Sequence, residues 1–325
     1  MFNHRASVIS TIAFFCMFLL SSCAQSPSPP VAVPTATASP TSVITPAPTS
    51  TVNRTPVATA TTTAPRRYTA HVVLSGGARP DDLVFDRQGR LLFSDFYNGT
   101  VSRVNSDGSV TRILNGLAGP EGLVVLADGT LIIAEQRPNR ILSLAPGAHL
   151  PVVLRNLPGT PSTARCKDGV DGIAFDATTQ TLIVPDSPTG KVYRMSLDGK
   201  TLTLLASGIV RPVGAAVDAH GTIYVADECG AAIWSITPAG RSAKTTRIGG
   251  FGMPDDVIFD QHGNILVIDL QPSIHALVRM NLATGKREIL ASRSFIEPQG
   301  LVIDQHDDIF VSDDYAEIIV EYKPA

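Results

Sequence analysis

Six positions along the chain share one setting: Asp81, Glu121, Asp171, Val213, Asp255 and Gln299 each stand directly before a Gly or Asp that opens an apolar run. Four of these side chains are carboxylates and a fifth is an amide. Anions brought within a few ångströms of one another repel and raise one another's pKa, and a bound cation relieves that repulsion. Oxygen donors delivered from several loops suit Ca2+, with Mg2+ or Mn2+ in the same class. On this reading Asp81, Glu121, Asp171 and Asp255 are the candidate metal ligands. The competing reading is solvated turn chemistry, because Asp before Gly is a common turn choice.

A second acidic series follows the first by fourteen or fifteen residues: Asp95, Glu135, Asp186, Asp227, Asp269 and Asp313. Its presence in every copy points to a repeated structural task, the acceptance of hydrogen bonds from neighbouring loop amides. The stretch between Arg155 and Asp171 is the longest inserted loop and holds Arg165, Cys166, Lys167 and Asp168. Long loops on a rigid scaffold are where binding groups gather. Arg165 and Lys167 could hold a substrate carboxylate or carbonyl, or could be solvated loop residues, and Gln299 is a neutral candidate contact. Cys166 and Cys229 fall in loops expected at the same face, where outside the cytoplasm they form a disulfide or else remain two free thiols.

The elements that must position these residues repeat. Asp82, Gly122, Gly172, Gly214, Asp256 and Gly300 open the copies, at spacings of 40, 50, 42, 42 and 44 residues. In Pro254 to Asp269 an apolar run, a polar turn at Gly263, a second apolar run and a closing carboxylate describe two antiparallel strands joined by a tight hairpin. That period signals a blade-forming β-repeat. The sixth copy ends with three strands, and Tyr68 to Leu74 is a lone strand ahead of the first, so the N-terminal strand is expected to complete the last blade and remove an exposed sheet edge. The fold class is therefore all-β, a six-bladed β-propeller of four-stranded blades over residues 68–325.

Residues 1–67 carry four arginines and no Asp or Glu, and the remainder has 29 acids against 22 Lys and Arg, a balance of −7. That balance argues against nucleic acid and permits cations or neutral small molecules. Residues 1–22 read as a secretory signal, with a weakly basic start at His4 and Arg5 and an apolar core from Ile9 to Leu20 too short to span a bilayer comfortably. Leu20-Ser21-Ser22-Cys23 resembles the bacterial lipobox, which places a lipid on Cys23 and leaves the protein anchored to a bacterial cell membrane on its extracytoplasmic side. The rest of 23–67 is a tether rich in Pro, Thr, Ser and Ala, too poor in periodic apolar residues to offset its ordering entropy. No Gly-x-Ser-x-Gly elbow, His-Glu-x-x-His helix, phosphate loop or Cys-x-x-Cys pair occurs.

The segments Pro80-Asp81-Asp82-Leu83, Pro120-Glu121-Gly122-Leu123, Val170-Asp171-Gly172-Ile173 and Pro298-Gln299-Gly300-Leu301, with Tyr224-Val225-Ala226-Asp227 and its equivalents, resemble the senescence marker protein/gluconolactonase family and the related NHL-repeat propellers. The resemblance covers about residues 68–325. It implies a divalent cation over the channel, held by Asp81, Glu121, Asp171 and Asp255, and hydrolysis of a lactone or related ester, with Asp171 or Asp255 doubling as general base. Arg165-Cys166-Lys167-Asp168-Gly169 is similar to the family's Arg-x-Asn-Asp-Gly substrate segment, with Lys167 in the Asn place, and Val213 leaves one rim place without a donor. Two functions follow as expectations: a tethered, monomeric, metal-dependent lactonase or esterase, or a non-catalytic NHL-like module that binds a glycan, peptide or envelope protein.

Overall fold

The computed structural model describes residues 68–325 apart from 240, 241, 272 and 293; the expected signal segment, Cys23 and the tether lie outside the described residues. Strand β1 (Tyr68–Ser75) precedes the first blade, β2 (Leu83–Phe85), β3 (Leu91–Asp95), β4 (Thr100–Val104) and β5 (Val110–Leu114). The second blade is β6 (Pro120–Val125), β7 (Leu131–Glu135), β8 (Arg140–Leu144) and β9 (Val152–Asn156), and the third is β10 (Ala174–Asp176), β11 (Thr181–Asp186), β12 (Lys191–Ser196) and β13 (Leu202–Ser207). Blade four holds β14 (Pro212–Val217), β15 (Ile223–Asp227), β16 (Ala232–Ala239) and β17 (Ser242–Gly249); blade five holds β18 (Pro254–Phe259), β19 (Ile265–Asp269), β20 (Ala276–Met280) and β21 (Arg287–Ser292). The sixth runs β22 (Pro298–Ile303), β23 (Ile309–Asp313) and β24 (Ile318–Pro324), and β1 pairs antiparallel with β24 to give the sheet order β1-β24-β23-β22. The fold is thus the six-bladed propeller that the repeat period predicts, closed by its N-terminal strand. The inner strand of blade three begins one residue later than the expected Ile173.

Second strands are buried along all or nearly all of their length, as in β7 and β19. Each lies between two neighbouring blades, so it reads as an unbroken apolar run such as Leu131-Ile132-Ile133-Ala134 rather than an alternating one. The core is divided accordingly into six clusters, each between one pair of adjacent blades. The last of these packs Leu74, Leu83 and Phe93 against Phe310 and Ile319, closing the ring. Among the described residues no helix is long and apolar enough to cross a membrane.

Inner strands share an irregularity that matters for the site. In β6, β14, β18 and β22 the pairing with the second strand shifts register between the proline and the third residue after it. Two residues, the rim residue and the anchor, are left out of the ladder, and a bulge of this kind bends the strand and re-aims its side chains. The proline suits that place because it has no N–H to contribute. Anchors meet at the axis, where a Cβ on Gly214 would lie 2.6 Å from the Asp255 carbonyl oxygen and one on Gly300 would lie 2.5 Å from that of Asp81. Asp82 and Asp256 occupy the same ring by turning their carboxylates onto amides: Asp82 accepts from Leu83 and Leu123, and Asp256 from Val257 and Leu301. Each therefore ties its own blade to the next.

Candidate functional site

The bulges of β6, β18 and β22 deliver Glu121, Asp255 and Gln299, and the segments entering β2 and β10 deliver Asp81 and Asp171, to one cavity of about 270 Å³ at the mouth of the channel. Behind them the ring of anchors narrows the channel to a neck of about 20 Å³. The second acidic series holds the loops that enter the inner strands. Asp95 accepts the amide of Arg79, Asp186 that of Gly159, Asp227 that of Arg211, Asp269 those of Gly252 and Met253, and Asp313 those of Ile296 and Glu297. These carboxylates are at most 8% exposed, so the amides they hold are fixed in a dry setting. The structural task expected for this series is the placing of the rim.

Burial and mutual repulsion act on the rim acids together. Asp81 is pushed up to about 7, chiefly by burial, although a hydrogen bond with Glu121 pulls the other way. Glu121 lies well above the ordinary carboxylate range, through burial, the nearby Asp81 and Asp171, and the hydrogen bond it shares with Asp81. Asp255 is likewise held well above its usual value by burial and then by Asp171. Asp171 is raised by burial and opposed by Arg211. Carboxyl groups of this kind, some protonated near neutrality, are equipped to donate and accept protons.

Arg211 is the functional residue that sequence reasoning missed. Its side chain is 12% exposed and its guanidinium lies 3.0 Å from Asp171 and 3.4 Å from Asp168, with Glu228 as a third partner. It stands two residues before Val213, the one rim position without a polar donor, and lines the cavity while Val213 packs into the core between blades four and five. The cavity also takes Phe96, Gln136, Glu228, Leu270 and Asp314. Each of these directly follows an acid of the second series, a fixed phase that the sequence carries and that could have identified them.

The inserted loop is only partly at the site. Asp168 lines the cavity, but Arg165 is exposed and outside it, and the Lys167 ammonium donates to the Pro188 carbonyl at 3.1 Å. Neither Arg165 nor Lys167 lines the cavity, and the backbone between them passes through Cys166 at φ +65°. Cys166 and Cys229 form a disulfide with Cα atoms 6.2 Å apart. Since Asp168 and Glu228 lie close to the two cysteines in sequence, this bond holds two of the three anions around Arg211. Replacing Cys166 with Ser is expected to lower stability by about 2–4 kcal/mol and to loosen Arg211, read as a lower melting temperature and faster amide exchange at Arg211.

The donor chemistry of the rim suits a divalent cation, but its arrangement does not. Among the described residues no three Asp, Glu, His or Cys side chains converge closely enough to hold an ion. Asp171 is engaged by Arg211, and Val213 supplies no donor. A protein guanidinium sits among the anions that a metal would have to collect.

No protein-family model and no curated protein matches the sequence. Solved structures do match the fold. A gluconolactonase from Xanthomonas campestris aligns with a TM-score of 0.66 at 16% identity over 81% of this chain and 96% of its own. A catalytically inactive virginiamycin B lyase from Staphylococcus aureus, solved with quinupristin, gives 0.59 at 14% identity over 80% and 100%. A PQQ-bound aldose sugar dehydrogenase from Streptomyces coelicolor gives 0.61 at 16% identity over 80% and 99%. At these identities the likeness is one of fold, and at that level the resemblance to gluconolactonase propellers is borne out.

Proposed function

We propose that the channel mouth is the active site of a hydrolase acting on a lactone or related ester of small size, and that its own side chains, without a metal, carry the proton transfers. The observation that carries this reading is the convergence of four carboxyl groups of raised pKa and one held guanidinium in a single polar cavity. Asp81, at about 7, is matched to a general base at neutral pH. It takes a proton from water as the water oxygen adds to the substrate carbonyl. Asp255, whose carboxyl burial and then Asp171 hold well above its usual value, gives its proton to the ring oxygen as the carbon–oxygen bond breaks. Asp171, paired with Arg211 at 3.0 Å, fixes the field in which both transfers occur.

The test is a screen of the purified protein against lactones and aryl esters, with and without chelator. Turnover that survives chelation and falls by about 10²–10⁴ in Asp81→Asn is expected. Turnover only after adding Ca2+, Mg2+ or Mn2+ would restore the metal-dependent reading, and absence of turnover on every substrate would leave the mouth as a binding site alone. The lipobox cysteine supports anchoring through Cys23, and a disulfide between Cys166 and Cys229 suits an extracytoplasmic compartment. Fractionation of a Cys23→Ser variant tests this: release from the membrane is expected, and retention would refute the anchor.

A further inference from the structure

Each blade ends on an outer strand, and such an edge presents unpaired N–H and C=O groups to which another chain can add. In β1, β5, β9, β13 and β21 the pairing with the neighbouring strand shifts register. A bulge of this kind bends the edge and breaks its row of hydrogen-bonding groups. Among the described residues β17 is the outer strand that pairs without a shift, facing β16 residue for residue from Ala239↔Ser242 to Ala232↔Gly249. At 8 residues it is also longer than β5, β9, β13 or β21. Its stretch from Lys244 to Arg247 is exposed.

The charge of this edge selects its occupant. β17 carries Lys244 and Arg247 and no Asp or Glu, on a domain whose overall balance is acidic. Antiparallel pairing of two copies about Thr245 and Thr246 sets Lys244 opposite Arg247, and like charges opposed across a strand pair are destabilising. An acidic strand meets opposite charges instead. Where β17 ends, the carbonyls of Gly249 and Gly250 accept from the Arg287 guanidinium of the next blade, the second at 2.7 Å. Beside that contact lies a cavity of about 300 Å³, walled by Gly250 and by Ile274, Ala276, Val278 and Ile289 of blade five. Ile274 is 40% and Ile289 53% exposed, so the cavity has an apolar lip open to solvent. Strand addition draws affinity from main-chain hydrogen bonds and specificity from pockets that take side chains beside the edge.

We propose that β17 is a docking edge for an extended acidic segment of a partner protein, which adds to blade four as a fifth strand and seats an apolar side chain in the cavity at Ile274 and Ile289. The cavity shares no lining residue with the channel mouth, so the proposal is independent of the chemistry assigned there.

The test selects a phage-displayed library of random octapeptides on the purified protein, then titrates the enriched peptides, synthesised with a fluorescent label, by anisotropy. Enriched peptides are expected to be rich in Asp, Glu, Val, Ile and Thr and to lack a central proline. Lys244→Glu and Ile289→Glu, both at exposed positions, should each weaken them by about fivefold or more. On the unaltered protein a bound peptide should slow amide hydrogen exchange along β17, which decides the matter even if a variant fails to fold. Enrichment of no peptide, binding indifferent to both substitutions, or protection on another strand would overturn the proposal. Sedimentation of the protein alone is expected to show no dimer protected at β17, and such a dimer would give the edge to a second copy and overturn the acidic partner.

Discussion

Replacing Arg211 with Met is expected to cost roughly 3–5 kcal/mol of stability at pH 7.5, because it leaves an uncompensated cluster of charge in a nearly dry setting. Asp171 and Asp168 lie 3.0 and 3.4 Å from the guanidinium and Glu228 is its third partner, so all three lose their cation at once. Asp255 and Glu121 also feel its charge. For a domain of this size the melting temperature should fall by about 6–20 °C. Methionine keeps most of the side-chain volume, so the loss reports charge and hydrogen bonds rather than a cavity. The variant should also acquire a response that the parent lacks: with the guanidinium gone, millimolar Ca2+ is expected to raise its melting temperature, while the parent stays indifferent. A loss under about 1 kcal/mol would mean that Arg211 is an ordinary solvated pair. An equal calcium response in the parent would mean that the rim collects a metal beside the arginine.

That expectation depends on a residue which the repeat pattern conceals. The propeller was legible because blade-to-blade burial imposes the same apolar runs and the same polar turn six times, and a repeated constraint leaves a repeated sequence. The rim was legible for the same reason, since in five of the six copies the residue that follows position 80, 120, 170, 254 or 298 reaches the same cavity. Val213 marks where this reasoning stopped. Viewed within its own repeat it is a missing donor, and only the folded ring shows Arg211, two residues upstream, lining the cavity against Asp171. Arg165 and Lys167 mark the opposite case, where chemistry suited to a substrate sits on an inserted loop and does not line the cavity. Residue type can be read along the chain, but the direction of a side chain in an irregular loop depends on contacts far away in sequence, here the bond between Cys166 and Cys229.

The protein is expected to be more stable at pH 5.5 than at pH 8, the reverse of the usual trend for a domain rich in ion-paired carboxylates. Asp81 is raised to about 7, Asp256 and Asp314 to about 6, and Asp82, Glu121 and Asp255 lie well above their ordinary values, with burial the leading cause for each. A carboxyl group with a higher pKa folded than unfolded binds more protons in the native state through that interval. Stability therefore falls as pH climbs from the unfolded values near 4 through the folded values of about 6 to 7. Asp107, Asp128 and Asp198 move the other way through turn hydrogen bonds, but they are fully exposed and weigh little against the buried set. Each tenfold difference in proton affinity is worth about 1.4 kcal/mol, so several such groups should raise the melting temperature by about 5–10 °C between pH 8 and pH 5.5. Asp81→Asn should raise the melting temperature at pH 8 and flatten the profile, since the amide cannot ionise. Asp256→Asn should not give that gain, because both Asp256 oxygens accept backbone amides, from Val257 and Leu301, and an amide side chain would set a donor against one of them. A melting temperature that rises steadily from pH 5.5 to 8, or an Asp81→Asn variant that keeps the parent's profile, would show that the rim acids are ionised and solvated in the folded protein. The two aspartates thus separate two uses of a buried acid: Asp256 is retained because it joins blades, and Asp81 tolerates its unfavourable setting because that setting brings its proton affinity near neutral pH.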